Sequence, residues 1–402
     1  MIFKKVAEAS RLRNTAARCR SHFMPLSVAF LILITFAKAE QSPKSQVDRL
    51  IAAARLYDEQ EMKDAIDAIV AIGSPAIPEL RPALKDFDDN VRWQAIIAMG
   101  RIGEPARGEV HRIIQALGDN DSDVRAAAAE ALGMLKVASK DVLHALSKRL
   151  TDEHGIVRAS ANWALWQFTK NSKHITNLTK ELASSDWIVT DRAIRHLASI
   201  GNPADLHLGK YLLLKNQPGR HHAATALAQM DCYSDSIIST LVQSLSDSDS
   251  LLATASAKAL KSAGKAAVPS LIELLEPRND PAQPYAILAL GNIGESASPA
   301  IPNLLPYLSH KDQAIRLSTV HTIGKIGVNA KGTEERVLEL LKDPDQDLRG
   351  AACETLAQIK ASSPKTLKLL QTLSQHDPKD FVRQAAKKAL GKLDISGITK
   401  KG

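Results

Sequence analysis

The side chains equipped for catalysis or metal binding are few in this chain, and their spacing works against both. His221 and His222 are adjacent. Neighbouring side chains on a helix point about 100° apart, so this pair chelates poorly compared with an i, i+4 pair. His196, one unit upstream, is the further ligand that could approach them, and the reading is a polar face rather than a metal site. Ser362-Ser-Pro-Lys365 fits a Ser-x-x-Lys nucleophile motif, but the companion motifs are missing. His-Glu-x-x-His, Cys-x-x-Cys, Gly-x-x-x-x-Gly-Lys and Gly-x-Ser-x-Gly do not occur. Of the three cysteines, Cys19 lies in a basic N-terminal stretch, while Cys232 and Cys353 fall several repeats apart. At about 10 Å per stacked layer that gap exceeds the reach of a disulfide, so both read as free thiols. Cys353, beside Ala351 and Ala352, reads as a core position. No catalytic residue, metal or cofactor is expected.

The residues that do recur are an arginine and an aspartate. Val-Arg followed by a small apolar run returns at Val91-Arg92, Val124-Arg125, Val157-Arg158, Ile315-Arg316, Leu348-Arg349 and Val382-Arg383. A fixed period of this size means stacked two-helix units that bury one another's apolar faces. Aligning on the arginine slot adds Met62, Thr190, Arg220, Ala253 and Gln283 and gives about eleven units, seven of them with Arg. Apolar residues follow each slot at helical spacing, as in Val91, Ala95, Ala98, Met99 and Ile102. Asp121, Asp186, Asp249, Asp312 and Asp345 read as helix N-caps. Gly73, Gly103, Gly201, Gly264, Gly294 and Gly327 read as helix ends. The arginine is lost at Thr190, Ala253 and Gln283, and looseness or curvature is expected in the stretches 184–245 and 277–294.

These motifs resemble the HEAT family, especially its phycobilisome-lyase-like branch with short Val-Arg-x-x-Ala-Ala-x-Ala-Leu-Gly units. The resemblance implies an all-α fold, an α-solenoid of about eleven two-helix repeats in a right-handed superhelix over 40–393. It also implies a ladder of Asp–Arg hydrogen bonds between neighbouring units. Asp86 with Arg92, Asp119 with Arg125, Asp152 with Arg158, Asp343 with Arg349, and Asp377 with Arg383 share one six-residue separation, and a charge-assisted pair between layers would fix register. Arg316 has His310 at that position, which puts its rung in question. Enzymatic relatives share this fold, but no site carries over. The chain has no His-Glu dipeptide of the di-iron deoxyhypusine hydroxylase kind, and no bilin-lyase residues are matched.

Residues 1–39 read as an export signal: a basic region, an apolar run from Leu26 to Ala37, and an Ala37-Lys38-Ala39 cleavage site. Met24 is an alternative start, a mitochondrial presequence a competing reading, and an uncleaved N-terminal membrane anchor another. The apolar run is shorter than the ~20 residues a spanning helix needs, so no stable span is expected after cleavage. Residues 394–402 read as a polar tail. The first 39 residues hold seven Lys/Arg and one acid, so the remainder carries 45 basic and 43 acidic residues, a net of +2. The basic excess belongs mostly to the leader, which argues against nucleic acid as the partner and against a glycosylase-like basic groove.

The expectation is therefore an exported, monomeric, non-catalytic scaffold that holds a protein or peptide on its concave face. The alternative is an enzyme or cofactor-handling protein of the same fold, lyase-like or metal-dependent. In solenoids of this type the second helices line the concave face. Positions one, two, five and nine past the arginine slot are expected to face outward: Trp93, Gln94, Ile97 and Arg101; Ala159, Ser160, Trp163 and Gln167; Asp191, Arg192, Arg195 and Ser199. All four tryptophans fall between 93 and 187, and Trp and Arg are enriched in binding hot spots. The candidate patch is Trp93, Trp163, Trp166, Arg192 and Arg195, with Tyr285 a second candidate beside Leu288. The competing account has Trp166 and Trp187 filling gaps between layers.

Overall fold

A computed structural model of the protein describes residues 42–230, 234–276 and 281–393. The leader expected at 1–39, Cys19, Cys232 and the expected tail at 394–402 lie outside them. Among the described residues every regular element is an α-helix or a 3-10 turn. None of these helices is long and apolar enough to cross a membrane. The chain divides into two compact units, 1–145 and 146–402.

In the first unit, Pro43–Leu56 pairs with Glu59–Ile72, the segment 74–85 with Asp89–Ile102, and the segment 104–116 with Ser122–Leu135. In the second, Gly155–Thr169 is followed by pairs that end in Trp187–Ile200, Arg220–Ala228, Ser250–Ala263, Gln283–Ile293, Gln313–Ile326, Gln346–Gln358 and Asp380–Lys392. Eleven second helices are therefore present among the described residues, each placed where an arginine slot predicts it. Several first helices are broken into short α and 3-10 pieces. Pro75, Pro78 and Pro82 explain the segment 74–85, because each removes a backbone donor and crowds the preceding turn. The second helices stay whole because an Asp side chain caps most of them. Asp121, Asp186, Asp249, Asp312 and Asp345 each accept a backbone N–H from the first turn. Gly103 and Gly327 close their helices at φ +76° and +74°, which a side chain at that position would strain.

Successive second helices lie close because small residues face one another. A Cβ at Gly100 would come within 2.8 Å of Ala131 Cα. Thr322 Oγ1 donates to Ile287 O at 3.0 Å, and Thr355 Oγ1 to Val320 O at 3.0 Å, so polar bonds cross this seam. In the second unit one continuous apolar core runs from Ala159 to Ala389. Cys353 sits inside it, and burial pushes its thiol up to about 12, so it stays protonated and unreactive at neutral pH.

The ladder exists, but its rungs differ from the expected pairs. Arg92 Nη1 donates to the main-chain carbonyls of Asp86 and Phe87 at 3.0 and 3.1 Å. Its Nε and Nη2 grip the Asp119 carboxylate, one repeat further on, at 2.9 Å each. Arg349 repeats this with Asp343 O and Pro344 O on one side and the Asp377 carboxylate on the other. The six-residue relation therefore marks a main-chain contact, and the carboxylate comes from the following unit. Arg125 with Asp119 O, Arg158 with Asp152 O and Arg383 with Asp377 O make the same main-chain contact. The physical reason is reach. The Asp carboxylate is already used locally, accepting the N–H two residues on, and its outer edge faces the preceding layer. His310 fits the same scheme: its carbonyl accepts from Arg316 and its Nδ1 accepts Asp312 N–H. The Arg316 fork sits only loosely against Asp343, at 3.5 Å. Glu181 replaces the missing aspartate for Arg158 at 2.8 and 2.9 Å, and Asp247 receives Arg220 at 2.7 Å.

Two outcomes follow. A double-mutant cycle of Arg349→Lys with Asp377→Asn is expected to show a coupling of about 1–3 kcal/mol by urea unfolding, while Arg349→Lys with Asp343→Asn shows under about 0.5 kcal/mol. The Arg349 hydrogen bond also holds the Asp377 carboxyl below its ordinary 3.8. A depressed folded value means stability that is present above pH 3.8 and drains as pH falls through the lower folded value. Asp377→Asn is expected to flatten that acid limb in unfolding measured from pH 5 downward.

Candidate partner-binding face

On the second helices the exposed positions are those the capping and core positions leave over. The outward register holds at positions five and nine past the slot: Ile97 and Trp163 are half-buried, and Arg101, Arg195 and Ser199 are exposed. It fails at position two for Gln94 and Ser160, though not for the half-buried Arg192, and at position one in the helix Gly155–Thr169. Gln94, Ala159 and Ser160 are buried, and Gln94 reaches Met62 on the neighbouring second helix.

The tryptophans divide accordingly. Trp93 is half-buried, with Nε1 donating to Asn90 Oδ1 at 2.8 Å. Trp163 is half-buried, bonded to Ser199 Oγ at 2.9 Å and stacked on His196 at 5.0 Å. Trp166 is only 8 % exposed and belongs to the core cluster, with Lys170 Nζ 3.8 Å above its ring. It is therefore a filler between layers rather than a contact residue: three residues on from Trp163, it lies about 60° round the helix, which carries it from the rim into the core. Trp187 is the reverse case. It opens its helix directly after the Asp186 cap and is 74 % exposed, so it fills no gap. Arg195 is exposed and paired with Asp191 at 2.9 Å, while Arg192 is half-buried on the same helix. Tyr285 and Leu288 pack against the core as partly buried residues.

One stretch of this face in the first unit is concave. Between Glu59–Ile72 and Asp89–Ile102 lies an open groove of about 410 Å³ lined by Tyr57, Met62, Ile66, Trp93, Lys63 and Arg101 among others. Tyr57 stands 75 % exposed at its rim, in a left-handed turn that ends the first helix. Met62, in the slot where other units carry Arg, floors the groove, and Gln94 Nε2 points to its sulfur at 3.1 Å. Lys63 and Arg101 both lean on Asp67, at 3.6 and 2.7 Å. The Arg101 hydrogen bond keeps that carboxyl below its ordinary range. An apolar floor, two aromatic walls and a charged edge suit an extended chain with an apolar side chain. Tyr57 and Met62 were absent from the candidate list drawn from sequence. Their signal was the loss of Arg from the first slot, which opens this floor.

The chemistry candidates do not converge. His221 and His222 rings lie 4.0 Å apart, but His222 Nδ1 meets Leu182 O at 2.9 Å and His196 is engaged with Trp163. Among the described residues no group of three or more His, Cys, Asp or Glu is placed to hold a metal.

Stacked helix pairs with capped second helices and an Arg bridge between layers define an α-helical repeat protein. Residues 47–110, 77–166 and 301–391 match the family model for HEAT repeats, and the chain belongs to that family. No curated protein matches the sequence. Among solved structures, Kap95p in complex with RanGDP is similar with TM-score 0.56 and 13% identity, over 94% of this chain and 61% of that one. Kap121p bound to the extreme C-terminus of the protein phosphatase Cdc14p gives 0.55 and 12%, over 92% and 49%. Importin beta gives 0.53 and 15%, over 92% and 60%. At these identities the likeness is one of fold, and the chain spans about half to three-fifths of those proteins' lengths.

Trp166→Ala is expected to lose about 3–5 kcal/mol of unfolding free energy through its cavity. Trp187→Ala is expected to stay within about 0.5 kcal/mol. Urea titrations of the two variants read the difference.

Proposed function

We propose that this HEAT-repeat protein is a non-catalytic scaffold that binds an extended protein segment on its second-helix face. The carrying observation is the groove between Glu59–Ile72 and Asp89–Ile102, where Trp93 and Tyr57 flank an apolar floor. Burying an aromatic wall against one side chain of a peptide is the usual core of a hot spot, with the charged edge at Lys63 and Arg101 fixing orientation. The solved structure of Kap121p holding the extreme C-terminus of another protein supports this reading, since a similar stack of helices there receives a chain segment. The Trp163, Arg192 and Arg195 surface is a further contact region in the same proposal.

The short units and their Val-Arg-x-x-Ala pattern support placing the chain in the phycobilisome-lyase-like branch of the family. The basic N-terminal region, the apolar run to Ala37 and the Ala37-Lys38-Ala39 site support export, with the partner met outside the cytoplasm.

Peptides selected on the full chain from a random display library, then titrated by fluorescence anisotropy, test the groove. Trp93→Ala is expected to weaken them at least about tenfold, a loss near 1.4 kcal/mol, with Tyr57→Ala acting in the same direction and Trp187→Ala neutral. Unchanged affinity in folded Trp93→Ala removes the groove as the binding site.

A further inference from the structure

Charge is unevenly distributed along this chain. Residues 360–393 carry eight basic and two acidic side chains, while residues 40–359 carry 35 basic and 40 acidic. The excess sits on one helix pair, Pro364–His376 and Asp380–Lys392. Lys379, Arg383 and Lys387 follow one another at four-residue spacing, so they form a single stripe along the second helix of that pair. Lys379 and Lys387 are exposed. Lys388 and Lys392, again four apart, line a small cavity of about 120 Å³ with Glu354 and Gln358 of the preceding second helix.

Arg383 adds a geometric observation to the charge. Its Nη1 donates to Asp377 O at 2.7 Å, the same main-chain anchor that orients Arg92, Arg158 and Arg349. In those three the other edge of the guanidinium grips a carboxylate from the following repeat with two bonds. Among the described residues no carboxylate of another repeat reaches the corresponding edge of Arg383. Its Nη2 turns back to the exposed Asp380 of its own helix, at 3.0 Å. The fork thus keeps one of the two main-chain anchors of its counterparts, and its outer edge is held by a side chain that water can displace.

We propose that the Lys379–Arg383–Lys387 stripe is a docking site for an acidic protein segment, whose leading carboxylate takes the Arg383 fork as an aspartate takes the others. The site is separate from the aromatic groove and does not depend on it. A carboxylate is favoured over a phosphate because every fork of this kind seen in the chain holds a carboxylate. A second copy of this chain is disfavoured because its first repeat carries Leu56 six residues before the slot, where the ladder places Asp.

The test titrates the full chain against fluorescein-labelled octaglutamate by anisotropy at fixed low ionic strength, with an oligothymidylate of matched charge in parallel. Arg383→Lys keeps the charge but loses the fork, and is expected to weaken octaglutamate about tenfold. Asp380→Asn removes the competing carboxylate and is expected to tighten it about threefold. Should Arg383→Lys unfold by circular dichroism, Asp380→Asn decides alone, because a purely structural role predicts no tightening. Equal binding by folded Arg383→Lys, or no gain in Asp380→Asn, overturns the proposal. So does oligothymidylate binding as tightly as the peptide, which indicates a generic polyanion surface. Sedimentation showing a salt-sensitive dimer lost in Arg383→Lys assigns the stripe to a second copy and overturns it as well.

Discussion

A single guanidinium joining three pieces of chain is the contact on which the repeats depend. One nitrogen ties it to two main-chain carbonyls of its own turn, and the remaining edge holds a carboxylate of the next layer. That geometry needs Arg, because a lysine ammonium cannot hold a turn and a neighbouring carboxylate with one rigid plane. The apolar seams between layers are slippery, being built of Ala, Leu and Ile at helical spacing. The bridge supplies the directional contact that sets their register. Where Arg is absent, other groups take up part of the work. Gln283 Nε2 reaches Glu276 O at 3.0 Å, and Arg55, from the first helix of its pair, reaches Asp86 at 2.8 Å. The family match covers six of the seven Arg-bearing repeats and passes over residues 167–300, which hold Arg220.

The close seam has a second consequence. Gly100 and Gly291 leave no room for a Cβ against the next helix, and threonines there return their hydroxyls to backbone carbonyls across the seam. Large side chains are therefore pushed to the rims and turns. This is why Tyr57, Phe87, Trp187 and Leu251 are exposed at or beside the turn that joins the two helices of a pair. Gly219 marks the tightest turn: at φ +78° its Cβ would lie 2.0 Å from Leu182 O, so the irregular repeat around Arg220 depends on that one residue.

The fold was legible almost throughout. Periodic arginines, Asp caps and Gly stops name each second helix, because these signals are local and one turn of helix decides them. The ladder was half legible. A six-residue Asp–Arg spacing is visible in sequence, yet sequence does not show which oxygen of the aspartate is used. The distance to the true carboxylate, 27 residues for Arg92 and 28 for Arg349, is a property of stacking. The face was least legible. Trp163 and Trp166 stand three apart, and whether each faces out or in turns on about one residue of register. Here Trp163 borders the surface and Trp166 enters the core. Trp187 was misplaced by the filler account because it precedes the first full turn, where helical periodicity has not begun to sort residues.

A stack of this kind also separates stability from recognition. Each pair is buried by its neighbours, so the residues left outside contribute little to folding and are free to vary in charge and shape. The first pair carries Met62 in place of its slot arginine and has an apolar floor, while the guanidinium that reaches Asp86 comes from Arg55 on its first helix. The pair ending at Lys392 has kept the arginine and its main-chain anchor while surrounding it with lysines. Both departures leave the Ala seam in place, although in the last pair Lys379 takes the N-cap position that Asp holds in most others and makes no side-chain cap bond. The repeat therefore tolerates specialised surfaces at single pairs.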